Sequence, residues 1–91
     1  MNEEILKMII EKYGKNKQVG QAVEEMAELT IELNKNINRN KDNETEIILE
    51  IADVQIMLAQ LVMIYDIDPE KIQGAVEYKL LRQKERIENG D

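Results

Sequence analysis

Apolar and polar positions recur at helical spacing along this chain, and the breaks between the runs are few. Gly occurs four times and Pro once, so turns are easy to place. The spacing predicts a short first helix from about Glu3 to Tyr13, ended by Gly14. Lys15-Asn16-Lys17 reads as a polar turn, with Asn16 as the N-cap of a second helix that starts near Lys17 and continues to about Ile37. Val19, Val23, Met26, Thr30, Leu33 and Ile37 alternate by four and three, which marks a seam along that helix. Asn36 to Asn43, rich in Asn and charge, is the next loop. Asn43 followed three residues later by Glu46 has the form of a capping box opening a third helix. From Ile47 to Ile64 the polar residues are only Glu50, Asp53, Gln55 and Gln60, so this helix is expected to be buried. Asp68-Pro69-Glu70 supplies an N-cap, a Pro at the first helical position and an acid in the first turn. A fourth helix then runs to about Glu88, with Gly90 as its stop. The expected fold is a single all-α domain of four helices spanning residues 1–91.

Composition narrows the core and the partners. The chain is 43% hydrophobic, yet it has no Phe or Trp and only three Tyr. Its core must come from Ile, Leu, Val, Met and Ala, which suits packed helices. With 91 residues the chain is near the lower limit for an independent core, so extra core is expected from oligomerisation. The third helix sharpens this: Ile47, Ile48, Leu49, Ile51, Val54, Ile56, Leu58, Leu61 and Val62 surround most of its circumference, more than one small subunit can cover. A net charge of −7 argues against general binding to nucleic-acid polymers or anionic membranes, although metal ions can still screen nucleotide phosphates. Without Cys there is no disulfide framework or thiolate metal site, and without His no His-based triad or ordinary zinc site. Met1-Asn2-Glu3-Glu4 lacks the basic start of a signal peptide, and Glu50 and Asp53 argue against a membrane span over Ile47–Ile64. A soluble, cytoplasmic protein is expected.

The candidate chemistry lies in two acidic pairs, Glu25-x-x-Glu28 and Glu50-x-x-Asp53. At about 100° per residue, Gln18, Gln21, Glu25, Glu28 and Glu32 fall in one arc of the second helix, while Glu24 lands nearly opposite Met26. On the third helix Glu46, Glu50, Asp53, Met57 and Gln60 share a stripe. A buried carboxylate without a partner is costly, so two on one face of an apolar helix call for a cation. Four convergent carboxylates without His or Cys point to a hard divalent ion, Mg²⁺ with Mn²⁺ as a substitute, and so to phosphate chemistry. If the two helices pair antiparallel, the pairs can meet, and their pKa values then rise when no metal is bound. Taken alone, Glu25 and Glu28 fit a solvated acidic face better than a metal site. Glu50 and Asp53 have no solvent face except the one they occupy. Glu32 and Glu46 are expected to be solvated or to lie outside the ligand set.

These residues resemble the MazG-like all-α nucleoside triphosphate pyrophosphohydrolases, in the form of a small, phage-type member. Gln21-Ala22-Val23-Glu24-Glu25-Met26-Ala27-Glu28-Leu29 is similar to the family's first signature, and Leu49-Glu50-Ile51-Ala52-Asp53-Val54-Gln55-Ile56-Met57 to its second. The resemblance extends from about Tyr13 to Arg86. It implies hydrolysis of a nucleoside triphosphate to the monophosphate and pyrophosphate, with Glu25, Glu28, Glu50 and Asp53 as Mg²⁺ ligands and catalytic residues. Glu25 or Glu28 is the expected proton acceptor for the attacking water. Lys79, Arg82 and Arg86, one stripe on the fourth helix, are placed to reach phosphate oxygens, Lys79 and Arg82 foremost. Cations near a helix C-terminus also suit its dipole without any ligand. Gln18 and Gln21 are candidate contacts to base or phosphate. The resemblance further implies a homodimer or homotetramer. With no Phe, Trp or His, base stacking falls to Tyr13, Tyr65 or Tyr78, which suggests loose base selection, with deoxynucleotides the expected substrates.

Two other readings compete. A phosphoribosyl-ATP pyrophosphatase shares the fold and a related acidic pattern, but the His usual near its second motif is missing here. A non-catalytic helical interaction module would instead pair these acids with Lys or Arg from a partner.

Overall fold

The computed structural model describes residues 1–90, and every regular element among them is helical. Four helices follow in order: α1 (Glu3–Tyr13), α2 (Lys15–Arg39), α3 (Glu44–Ile64) and α4 (Pro69–Glu88). The all-α expectation holds, with helix ends within two residues of those read from the sequence.

Each boundary has a local cause. Asn2 caps α1, its Oδ1 accepting from the Ile5 N–H at 3.1 Å. Gly14 alone joins α1 to α2, with φ +92°, a conformation that costs a glycine little and other residues much. This corrects the turn expected at Lys15-Asn16-Lys17: α2 starts at Lys15, and Gly14 in place of Asn16 occupies its N-cap without a side-chain bond. The first helix can end and the second begin on one residue because that residue is glycine. At the other end of α2, Asn40 takes the left-handed conformation, φ 57°, and its N–H bonds back to the Lys35 carbonyl. Asp68 caps α4 as expected, accepting from the Glu70 N–H at 3.0 Å, with Pro69 in the first turn.

The capping box at Asn43 does not form. Asn43 sits at the N-cap position of α3, but its side chain turns away from the α3 amides. Its Nδ2 donates to the Glu32 carbonyl at 2.9 Å and to Glu32 Oε1 at 3.2 Å, and Asn36 Nδ2 donates to its Oδ1 at 3.3 Å. Only 1% of Asn43 is exposed. The residue therefore ties the top of α3 to α2 and closes the corner between them.

Below this corner α2 and α3 pack along their length, and α1 lies against both. Asn43 meets Glu32, and Glu50 meets Glu25 and Glu28 further along, so the two helices run antiparallel. Along the seam the buried and half-buried positions include Gln18, Ala22, Glu25, Leu29 and Glu32 on α2, and Asn43, Ile47, Glu50, Val54 and Met57 at the start of and along α3. Both series step by four and three, the spacing of helices that pack at a small crossing angle. The seam expected on α2 is displaced by one residue. Val23, Met26, Leu33 and Ile37 point outward, and the mixed arc holding the acids faces α3 instead.

The core is small. Leu6, Ala22 and Met57 are its buried apolar residues among those described. The expectation of a buried α3 is met only at Met57 and Gln60, while Ile48 and Leu49 are 56% and 60% exposed. The reason is α4: it forms no packed interface with the other helices, and every one of its residues is exposed. The radius of gyration is accordingly 16.4 Å, against about 12 Å for a compact chain of this length. By length and composition α3 is also apolar enough to cross a membrane, although its inner face carries Glu50.

Replacing Asn43 with Ala should cost about 2 kcal/mol, because a buried amide bonded to a charged group and a main-chain carbonyl is removed. Urea unfolding of both proteins at one fixed concentration measures it. Asn36→Ala, which removes two longer bonds from an exposed side chain, to the Lys41 carbonyl at 3.2 Å and to Asn43 Oδ1 at 3.3 Å, should cost less.

Candidate functional site

Half-way down the α2–α3 seam the alternation of four and three puts Glu25 and Glu50 where a helical pair usually carries apolar side chains. Glu28, one turn beyond Glu25, reaches in from the exposed edge. Glu25, Glu28 and Glu50 each direct one carboxylate oxygen to a common point, the oxygens lying within 4.8 Å of one another. On the two seam residues one oxygen each, Glu25 Oε2 and Glu50 Oε2, is buried with no hydrogen-bond partner in the chain. Glu25 Oε1 accepts from Gln21 Nε2 at 2.9 Å.

No basic side chain answers these acids. The ion pairs among the described residues are Lys35–Glu32 at 3.2 Å and the solvent-exposed Lys84–Glu88 at 3.3 Å. Burial pushes the Glu25 carboxyl above its ordinary range, Gln21 partly opposes this, and the charges of Glu28 and Asp53 push it further up. Burial likewise raises Glu50, followed by the charges of Glu28, Glu25, Asp53 and Glu32. Glu32 moves the other way, held down first by its bond from Asn43 and then by Lys35. Glu32 is thus neither solvated nor a free acid; it anchors the corner. Glu46 and Glu24 are exposed.

Three of the four motif carboxylates converge. Asp53 is exposed and lies outside the triplet, although its charge acts on both Glu25 and Glu50. The donor set is all oxygen and formally triply negative, with no nitrogen or sulfur, which fits a hard divalent cation. Unpartnered oxygens turned inward are the chemistry such an ion would satisfy.

Gln18 and Gln21 line a cleft of about 340 Å³ between α1, α2 and α3, with Ile9, Ile56, Met57 and Gln60 among its other walls. Gln21 joins this cleft to the acids through its bond to Glu25. At the rim, Lys17 Nζ stands 5.5 Å from the centre of the Tyr13 ring. Tyr65 and Tyr78 are exposed and not part of it. Lys79 and Arg82, with Gln83 and Arg86, line a separate groove of about 240 Å³ on α4. Within one chain they form no ion pair with the acidic triplet.

Two residues have roles that their local sequence does not announce. Asn43 suits a cap by position, and Gln60 shares a stripe with Glu50 and Met57. That stripe was the available signal: a Gln ten residues after Glu50 on a helix in contact with α2 faces the same groove. No family model, curated protein or solved structure matches the chain.

The pKa shifts set a pH dependence with opposing signs. Glu25 and Glu50 hold protons more tightly in the folded chain, so just above the ordinary value of 4.5 the folded state binds more protons than the unfolded. Their contribution is full below 4.5 and is lost as pH rises through the raised values. Glu32 contributes above 4.5 and loses its contribution as pH falls through its lowered value. In EDTA, Glu50→Gln should therefore be more stable than the parent at neutral pH and should lose less stability as pH rises. Thermal unfolding across about pH 2 to 8 tests both signs.

Proposed function

We propose that this chain is a MazG-like, Mg²⁺-dependent nucleoside triphosphate pyrophosphohydrolase that converts a (d)NTP, with deoxynucleotides the expected substrates, to the monophosphate and pyrophosphate. The observation that carries the reading is the convergence of Glu25, Glu28 and Glu50 with no cation of the chain beside them. The two signature-like segments around Glu25 and Glu50 support it from the sequence side. Bound there, Mg²⁺ or Mn²⁺ would neutralise the triphosphate and acidify a water.

The side chains divide the remaining work. Glu25 and Glu50, held in the seam, fix the ligand set, and Glu28 closes it from the open edge. Asp53, one turn from Glu50, adds a fourth carboxylate when substrate is present. Glu25 or Glu28 accepts the proton of the attacking water. Gln18 and Gln21 contact the nucleotide from the cleft, and Lys79 and Arg82 bind phosphate oxygens.

That last role requires a second copy, because α4 stands away from its own acids. We place the active form as a homodimer or homotetramer in the cytoplasm. In it the outward apolar faces of α2 and α3 are covered, and α4 brings Lys79 and Arg82 to a neighbour's acidic site. The same exposed faces also suit an interaction module without catalysis, in which a partner's Lys or Arg would occupy the triplet. Calorimetry separates the two, since a module of that kind shows no saturable metal binding.

Three results are expected. Incubation of the common NTPs and dNTPs with Mg²⁺ should yield monophosphate and pyrophosphate; diphosphate and inorganic phosphate as primary products would reject the assignment. Glu50→Gln and Asp53→Asn should each reduce turnover to background with helicity retained by circular dichroism, and normal turnover in both would remove the metal-site reading. Sedimentation at micromolar concentration should give a multiple of 10.6 kDa. A stable, active species at that mass would show that no second copy is needed.

A further inference from the structure

Gln60 is the least explained side chain in the molecule. It is 1% exposed, lies on the inner face of α3, and neither its Nε2 nor its Oε1 has a hydrogen-bond partner in the chain. Buried amides are almost always bonded, and one left with both ends open weakens the fold that holds it. A structural role would be served better by Leu or Met at this position. Gln60 also lines the cleft between α1, α2 and α3.

The cleft has the make-up of a small-ligand site. Ile9, Ile56 and Met57 give it apolar walls, and Gln18 and Gln60, both buried, are among its polar lining residues. Its volume of about 340 Å³ suits one planar ring system, not a peptide or lipid chain. Gln21, on the same wall, holds Glu25 at 2.9 Å, so one lining residue of the cleft is bonded to the acidic triplet.

We infer that this cleft is a nucleobase subsite and that Gln60 is its specificity-determining residue, its amide pairing with the hydrogen-bonding edge of the base. The choice of a nucleotide as occupant rests on the proposed function; the open amide and the cleft do not. A carboxamide presents a donor and an acceptor side by side, and so do the pairing edges of the common bases. Rotation of the amide by half a turn exchanges the two. Gln60 therefore matches both a keto-imino edge, as in thymine, and an amino-aza edge, as in cytosine. It selects for the presence of an exocyclic group next to the ring nitrogen and not for one base. Flat apolar contact from Ile56 and Met57 replaces aromatic stacking, with Tyr13 at the rim.

The test uses deoxynucleosides without phosphate, on the full chain in EDTA, so that the acidic site takes no part. Thymidine, deoxycytidine and the deoxyriboside of 2-pyrimidinone, which lacks the exocyclic group, are titrated while the Gln60 side-chain amide and Met57 methyl resonances are followed. Thymidine and deoxycytidine should give saturable shifts of both signals in the millimolar range, and the 2-pyrimidinone nucleoside should bind about tenfold more weakly. Gln60→Leu and Gln60→Met should weaken thymidine about tenfold, abolish the difference between the nucleosides, and raise the melting temperature. Absence of saturable shifts in the parent, or equal binding of all three nucleosides to it, overturns the inference whatever the variants do. So does unchanged thymidine binding in a folded Gln60 variant; if that variant also sediments at a lower mass, the amide serves a second copy instead. Nucleoside binding as described in a protein that hydrolyses no triphosphate would support the subsite and reject the hydrolase.

Discussion

The antiparallel seam of α2 and α3 is the contact on which the rest of the molecule depends, and it is packed around charge. Ala22, Leu29, Val54 and Met57 supply the apolar part, but Glu25 and Glu50 take up two of its inward positions and Gln18 and Gln60 two more. Like charges in a half-dry groove repel, and burial first, then the neighbouring acids, raises the proton affinities of Glu25 and Glu50. The seam holds because its ends are fixed independently of its middle. Asn43 clamps one end through Glu32, and Leu6 of α1 packs near the other. Convergence of the acids is thus imposed by the register of two helices, not by attraction among the acids themselves.

Turning the polar arc of α2 inward has a second consequence. The apolar stripe of Val23, Met26, Leu33 and Ile37 must then face out, together with Ile48, Leu49, Ile51 and Leu58 of α3. On a helix, rotation by one residue is about 100°, enough to exchange a buried face for an exposed one. The unclosed core and the internal carboxylates are two sides of one choice. A chain that buried its best apolar seam within itself would have its acids in solvent, where two helices could not hold them together. The detached α4, with apolar Ile72, Val76, Leu80 and Leu81 exposed, belongs to the same unfinished outer layer.

Much of this was legible in the sequence, and the exceptions have physical reasons. Gly14, Asp68-Pro69 and Gly90 mark helix ends through backbone constraints local to a few residues, so the element order could be read directly. Glu25, Glu28 and Glu50 could be grouped because helical spacing fixes which residues share a face. The side of α2 that meets α3 could not, since hydrophobicity alone favours Val23 and Met26 over Gln18 and Glu25. Asn43 illustrates a related difficulty. Its position suits a cap, and only the approach of Glu32 from α2 offers the amide a better set of partners. Gln60 differs: its stripe with Glu50 and Met57 places it on the inner face, but its significance lies in what it fails to bond, which spacing does not carry.

Gln21 connects the two halves of the groove. Its amide nitrogen holds Glu25, while its side chain forms part of the cleft wall above. That bond lowers the proton affinity of Glu25 against the effect of burial, so it keeps the carboxyl nearer to its charged form. Anything that draws Gln21 into the cleft removes this support, and anything that neutralises Glu25 frees Gln21 to turn. From Gln18 to Glu25 the helix advances about 10 Å, two turns along one wall. The cleft and the triplet therefore stand within one extended ligand's reach, with Gln21 between them.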